Sequence, residues 1–215
     1  MRRIVLVLTA IATLLAAPVM ADEVWNITGS ANVSGSDGLV LQIDEVGFPA
    51  VELHTFVENG HHRLHAIRDL GVSTWDLITP AAYLTPTTSM SVNDSWVFLP
   101  TDDGESTTAT VKAIESITVP AGTFDAYRVE TALDSNPSIL DSVFWFADGV
   151  GIVRQDYHST TLPGNPLETR ANLTSFSIAG GSGFFPAALG NSWTFATAVP
   201  LEDSSFSSIK ALFRP

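Results

Sequence analysis

The chain contains no cysteine among its 215 residues. That excludes disulfide staples, thiol chemistry and a lipidated cysteine. Basic residues are few: 10 Lys and Arg stand against 23 Asp and Glu, for a net charge of −13. Such a surface repels nucleic acid, because binding a phosphate backbone rests on Lys and Arg. Long apolar runs are scarce too. Ile4 to Ala17, interrupted only by Thr9 and Thr13, spans 14 residues, short of the ~20 needed to cross a bilayer. No G-x-S-x-G elbow occurs; Ser34-Gly-Ser-Asp-Gly38 and Gly180-Gly-Ser-Gly-Phe184 miss the spacing. The carboxylates are numerous but form no specific pair, so neither an enzyme nor a cofactor is expected.

The first residues read as an export signal. Met1-Arg2-Arg3 is positive, the apolar run follows, Pro18 ends it, and Val19-Met20-Ala21 supplies small residues before a cut after Ala21. Residues 1–21 are therefore expected to be a signal peptide. The remainder would be periplasmic or extracellular and would not span the membrane after cleavage.

Beyond residue 21 the sequence reads as mainly β. Short runs rich in Val, Ile, Thr, Phe and Trp alternate with turn residues: Asn59-Gly60, Asp103-Gly104, Pro120-Ala121-Gly122 and Asp148-Gly149. Asn-Gly and Asp-Gly suit two-residue type I′ hairpins, whose central positions both need positive φ. That turn at Asn59-Gly60 puts His54 opposite His65 and Val57 opposite His62. Leu53, Thr55, Val57, Leu64 and Ala66 then form a core face, with Glu52, His54, Phe56, Glu58, His61, Arg63 and His65 on a wet one. The same turn at Asp148-Gly149 puts Trp145 opposite Ile152 and Phe146 opposite Gly151. Further strands are expected near 24–33, 38–46, 93–99, 107–119, 123–132, 167–178 and 192–198, with loops at 134–139 and 159–166. Gly180-Gly-Ser-Gly183 reads as a flexible joint within residues 179–183.

An approximate repeat is visible. Tyr83-Leu-Thr-Pro86 leads to Asp94-Ser-Trp-Val-Phe98, and Phe184-Phe-Pro186 leads to Gly190-Asn-Ser-Trp-Thr-Phe195. The second copy, with the tail to residue 215, is too short to fold alone. It is either a truncated repeat or a strand that completes the sheet.

Ile117-Thr-Val-Pro-Ala-Gly-Thr-Phe-Asp-Ala-Tyr-Arg-Val129 and Phe144-Trp-Phe-Ala-Asp-Gly-Val-Gly-Ile-Val-Arg154 resemble the motifs of TapB-like bacterial envelope domains of unknown function. The resemblance covers residues 83–178 within a β domain at 22–178. The chain departs from the pattern at Asn93-Asp94, where Gly-Asn or Gly-Asp is usual. The resemblance implies an exported antiparallel sheet, curved or half-barrel, related to periplasmic lipoprotein carriers, and it implies no chemistry.

Two sets of residues are candidates for function. His54 and His65, with Cβ atoms ~5 Å apart as direct cross-strand partners, could hold Zn²⁺ or Cu²⁺ with Glu52 diagonal to them. A site needs three or four ligands and His62 points to the other face; a solvated polar face explains the same residues, and no metal is expected. Trp96, Phe98, Phe144, Trp145 and Phe146 could line an apolar groove in an open half-barrel. An apolar small molecule or an envelope protein is the partner such a groove would take. Association through an exposed strand edge is the alternative.

Overall fold

The computed structural model describes residues 21–45, 49–87, 89–100, 106–159 and 162–198. Residues 1–20 of the proposed signal segment, the Asp103-Gly104 turn and the tail beyond residue 198 lie outside them. Twelve strands make one antiparallel sheet, and no helix occurs among the described residues. In chain order they are β1 Ala21–Val33, β2 Ser36–Glu45, β3 Val51–Glu58, β4 His61–Asp69, β5 Asp76–Pro86 and β6 Ser95–Pro100. Then follow β7 Ser106–Val119, β8 Gly122–Leu133, β9 Asn136–Ala147, β10 Gly151–His158, β11 Leu167–Ser177 and β12 Ser192–Ala198. The sheet order is β5-β4-β3-β2-β1-β12-β11-β10-β9-β8-β7-β6.

The sheet curls until its two edge strands meet without a backbone ladder. The Trp96 indole on β6 donates to the Tyr83 carbonyl on β5 at 3.1 Å. The mainly β, curved-sheet expectation holds. Along β1, β2, β11 and β12 the inward positions carry Trp25, Ile27, Leu41, Leu173, Trp193 and Phe195, all buried. Such burial follows from the two-residue period of a strand with one face packed and one facing solvent.

The partial repeat completes the sheet. β12 lies between β1 and β11, so residues 184–198 are the seam of the domain and not a separate unit. The resemblance between the two Ser-Trp-x-Phe segments extends to backbone detail. Gly190 (φ 89°) donates to the Ile27 carbonyl, and Ile27 donates to the Asn191 carbonyl. Asn93 (φ 77°) donates to the Val111 carbonyl, and Val111 donates to the Asp94 carbonyl. Register shifts follow at Ile27/Gly29 and at Val111/Ala113. The sheet thus reads as two six-stranded halves, β12-β1-β2-β3-β4-β5 and β6-β7-β8-β9-β10-β11. The first strand of one half stands at the C-terminal end of the described chain, and its other five stand at the N-terminal end. That arrangement explains why the second copy looks truncated in linear sequence.

The segment expected to be a flexible joint is tied down. Asn191 Oδ1 accepts from the backbone of Ala179 and Gly180, at 2.7 and 3.2 Å. Its Nδ2 donates to the carbonyls of Gly180 and Pro186. Gly181 is glycine because a Cβ there would sit 2.8 Å from the Pro186 carbonyl carbon, closer than atoms can pack. Phe184 and Phe185 follow, buried in two different hydrophobic clusters.

Two registers and one loop also need correction. Glu58 pairs with His61 around Asn59 (φ 51°) and Gly60 (φ 76°), as a type I′ turn requires. A bulge beside His65 then shifts the ladder, so His54 lies opposite Ala66. At Asp148-Gly149 only the glycine has positive φ, at 71°. The loop takes one more residue, pairing Ala147 with Gly151 and Phe146 with Ile152. Residues 136–139 belong to β9 and not to a loop, and β5 was not foreseen at all.

Candidate functional site

The five nominated aromatics do not converge on an open groove. Phe98, Phe144 and Phe146 are buried together with Met90, Val111, Val129 and Phe184. Phe144 lies 5.7 Å from Phe98 and 5.9 Å from Phe146, centroid to centroid. Trp96 packs against the rim of this cluster. Trp145 alternates to the opposite face, where Arg154 covers its ring at 4.4 Å and Glu115 accepts its indole proton at 2.6 Å. These side chains are hydrophobic core.

The histidine pair meets, by a different route from the register expected. His54 is fully buried, not on a wet face. Its Nε2 lies 3.1 Å from the Ala31 carbonyl, which only accepts, so Nε2 carries the proton. Nδ1 of His54 is then the acceptor, and His65 Nδ1 donates to it at 3.3 Å. Glycine at position 38 makes this reach possible, since a Cβ there would lie 2.6 Å from His54 Nε2. Trp75 meets the His54 ring edge-on at 5.8 Å. Burial, the largest influence, holds His54 below its ordinary pKa despite the Ala31 carbonyl. The facing nitrogens are used by the hydrogen bond, which leaves neither free to bind a metal alongside the other. Among the described residues no group of three or more His, Asp or Glu has metal-binding geometry.

The open hollow lies elsewhere, on the inward face where β2, β3 and β4 approach the segment 181–187. It encloses about 590 Å³, lined by Leu39, Thr55, Val57, His62, Phe185 and Ala187, with Asp37 at one side. That volume falls within the roughly 300–1,000 Å³ of ligand pockets. Phe185 forms its back wall, stacked on Trp193 at 5.6 Å with 13° between planes. Val57 is 57% exposed beside it.

His62 is the polar feature of this wall. It is 6% exposed, and its ring stands edge-on to Phe185 at 5.3 Å. Neither of its nitrogens has a hydrogen-bond partner among the described residues, and the Thr55 hydroxyl has none either. Desolvation, with a smaller contribution from His61, lowers the His62 pKa to about 4, so the ring is neutral at physiological pH. From the sequence alone His62 falls on the face opposite His54 and His65, with no role assigned to it there. The available signal was a histidine on an otherwise apolar face, opposite Val57.

An open antiparallel sheet curled around its own aromatic segment defines the class of fold. Residues 86–160 match the model of the DUF3108-like family. The match spans β6 to β10, most of one of the two halves. No curated protein and no solved structure matches the chain. No helix among the described residues is long and apolar enough to cross a membrane.

Proposed function

We propose that the protein is an exported, non-catalytic binding module of the bacterial envelope that holds the apolar part of a small molecule in its concave sheet. The hollow of about 590 Å³ carries this reading. It combines apolar walls from Leu39, Val57, Phe185 and Ala187 with unpartnered polar groups on His62 and Thr55, the mixture that fixes ligands in pockets. Export rests on the charged and apolar start of the chain, and the likeness to TapB-like envelope domains supports the same compartment. The binding residues in this reading are those of the hollow and replace the aromatic set nominated from sequence.

Association through strand edges has less support. Pro80 and Pro86 lie in edge strand β5 and Pro100 lies in edge strand β6. Proline withholds a donor from any added strand. Native mass spectrometry and solvent extraction of the purified protein test the proposal. A copurifying apolar compound supports it; repeated purification free of any such compound, with no uptake of added lipid extract, contradicts it.

A further inference from the structure

We infer that the hollow selects an uncharged amphiphile, an alkyl chain ending in a hydroxyl or a similar neutral hydrogen-bonding head, anchored on His62. The inference rests on the binding reading above and specifies the chemistry of its ligand. Among the described residues lining the hollow there is no lysine or arginine, and Asp37 is its one carboxylate. An anionic head, such as a carboxylate or phosphate, would enter with no cation to meet it and with a like charge nearby. Burying an ion under those conditions is strongly unfavourable. A cationic head could pair with Asp37, but a trimethylammonium group has neither donor nor acceptor to answer those of neutral His62 and Thr55.

A hydroxyl head suits the site as it stands. Neutral imidazole offers one donor and one acceptor, and a hydroxyl is both. Thr55 lies on the same face, two positions along β3 from Val57, the cross-strand partner of His62. Its free hydroxyl supplies a second contact. Beyond the head, Leu39, Phe185 and Ala187 give the alkyl chain apolar contact.

Isothermal titration of the full exported chain with a medium-chain primary alcohol, the matching carboxylate and the matching trimethylammonium tests this at neutral pH. The alcohol is expected to bind at least about tenfold more tightly than either ion. His62→Phe is expected to weaken the alcohol about tenfold, while His62→Gln, which retains a donor and an acceptor, keeps most of the affinity. Equal or tighter binding of an ion overturns the headgroup inference and leaves the cavity reading in place. So does an alcohol affinity unchanged in His62→Phe. Failure of all three probes to bind, or alcohol binding that Val57→Trp leaves unchanged, overturns both.

Discussion

His54 and His65 share a hydrogen bond between Nδ1 atoms 3.3 Å apart, although a bulge removes them from cross-strand register. The bond requires His54 to be neutral, since a His54 protonated at both nitrogens would set its Nδ1 donor against the donor of His65. Asp37 is the acidic group acting on His54, and Glu52 on the same strand is engaged by Arg68. Because the folded pKa of His54 is lowered, its contribution to stability is present above the unfolded value of 6.5 and is lost as pH falls below it. Nitrogen chemical shifts at neutral pH should show His54 as the Nε2–H tautomer. A protonated His54 at that pH contradicts the pairing. The purified protein, dialysed without chelator, should also carry far less than one equivalent of zinc or copper.

Glu23 behaves in the opposite sense. It is 4% exposed, faces Glu45 across β1 and β2, and accepts from the Trp25 indole at 2.6 Å. Desolvation outweighs that bond and raises its pKa from 4.5 to about 7. The folded state therefore holds the proton more tightly than the unfolded chain. Stability from this group is complete below 4.5 and is lost as pH rises to about 7. Glu23→Gln keeps the acceptor for Trp25 and removes the titration. Above pH 7 it should stabilise the fold by up to about 3 kcal/mol, read from urea melts across pH. A variant with an unchanged pH profile would show Glu23 to be ionised at no cost.

Asn191 and Gly181 test the tethered segment. Asn191→Ala leaves several buried backbone groups unpaired and should cost about 3 kcal/mol or more. Gly181→Ala should cost at least as much, since its Cβ meets backbone that cannot rotate away. Limited proteolysis should leave residues 180–183 intact in the native protein and cut there first in Asn191→Ala. Early cleavage of the native chain at this point would restore the joint that glycine density suggests.

Gly122 and Gly151 both have positive φ, at 144° and 102°. A side chain at either costs about 1 kcal/mol or more in backbone strain. A Cβ at buried Gly151 would meet Trp193 Nε1, Pro186 Cδ and the Phe184 carbonyl at 3.4, 3.6 and 3.8 Å, leaving no room for a larger side chain, whereas at half-buried Gly122 it would meet only the Phe124 ring, at 3.5 Å. Gly151→Val should therefore be the costlier by roughly 1–3 kcal/mol. Phe146→Leu should rescue neither, because Phe146 lies opposite Ile152. Selective rescue of Gly151→Val by Phe146→Leu would reinstate the register expected from Asp148-Gly149.

These cases mark how far the residues alone could be read. Alternating patterns located most strands, and Asn59-Gly60 fixed its turn, because local φ preference decides both. The bulge at His65 and the added residue after Asp148 were not legible, since neighbouring strands set them. Gly180-Gly-Ser-Gly183 misled for a related reason: glycine serves flexible linkers and close backbone approach equally. Phe184 and Phe185 could not be placed until β12 was seen between β1 and β11. The hollow that Phe185 helps form was not legible for the same reason, and the conspicuous Phe144 and Phe146 of β9 belong to a separate buried cluster with Phe184.

The central claim is that the ligand site is the hollow beside His62 and not the β6–β9 aromatic cluster. Amide and methyl chemical-shift mapping on titration with a medium-chain alcohol tests it most directly. Saturable shifts are expected at Leu39, Thr55, Val57, His62, Phe185 and Ala187, with Phe98, Phe144 and Phe146 unmoved. Shifts confined to Trp96, Phe98, Phe144 and Phe146, or none anywhere at saturating alcohol, would contradict it.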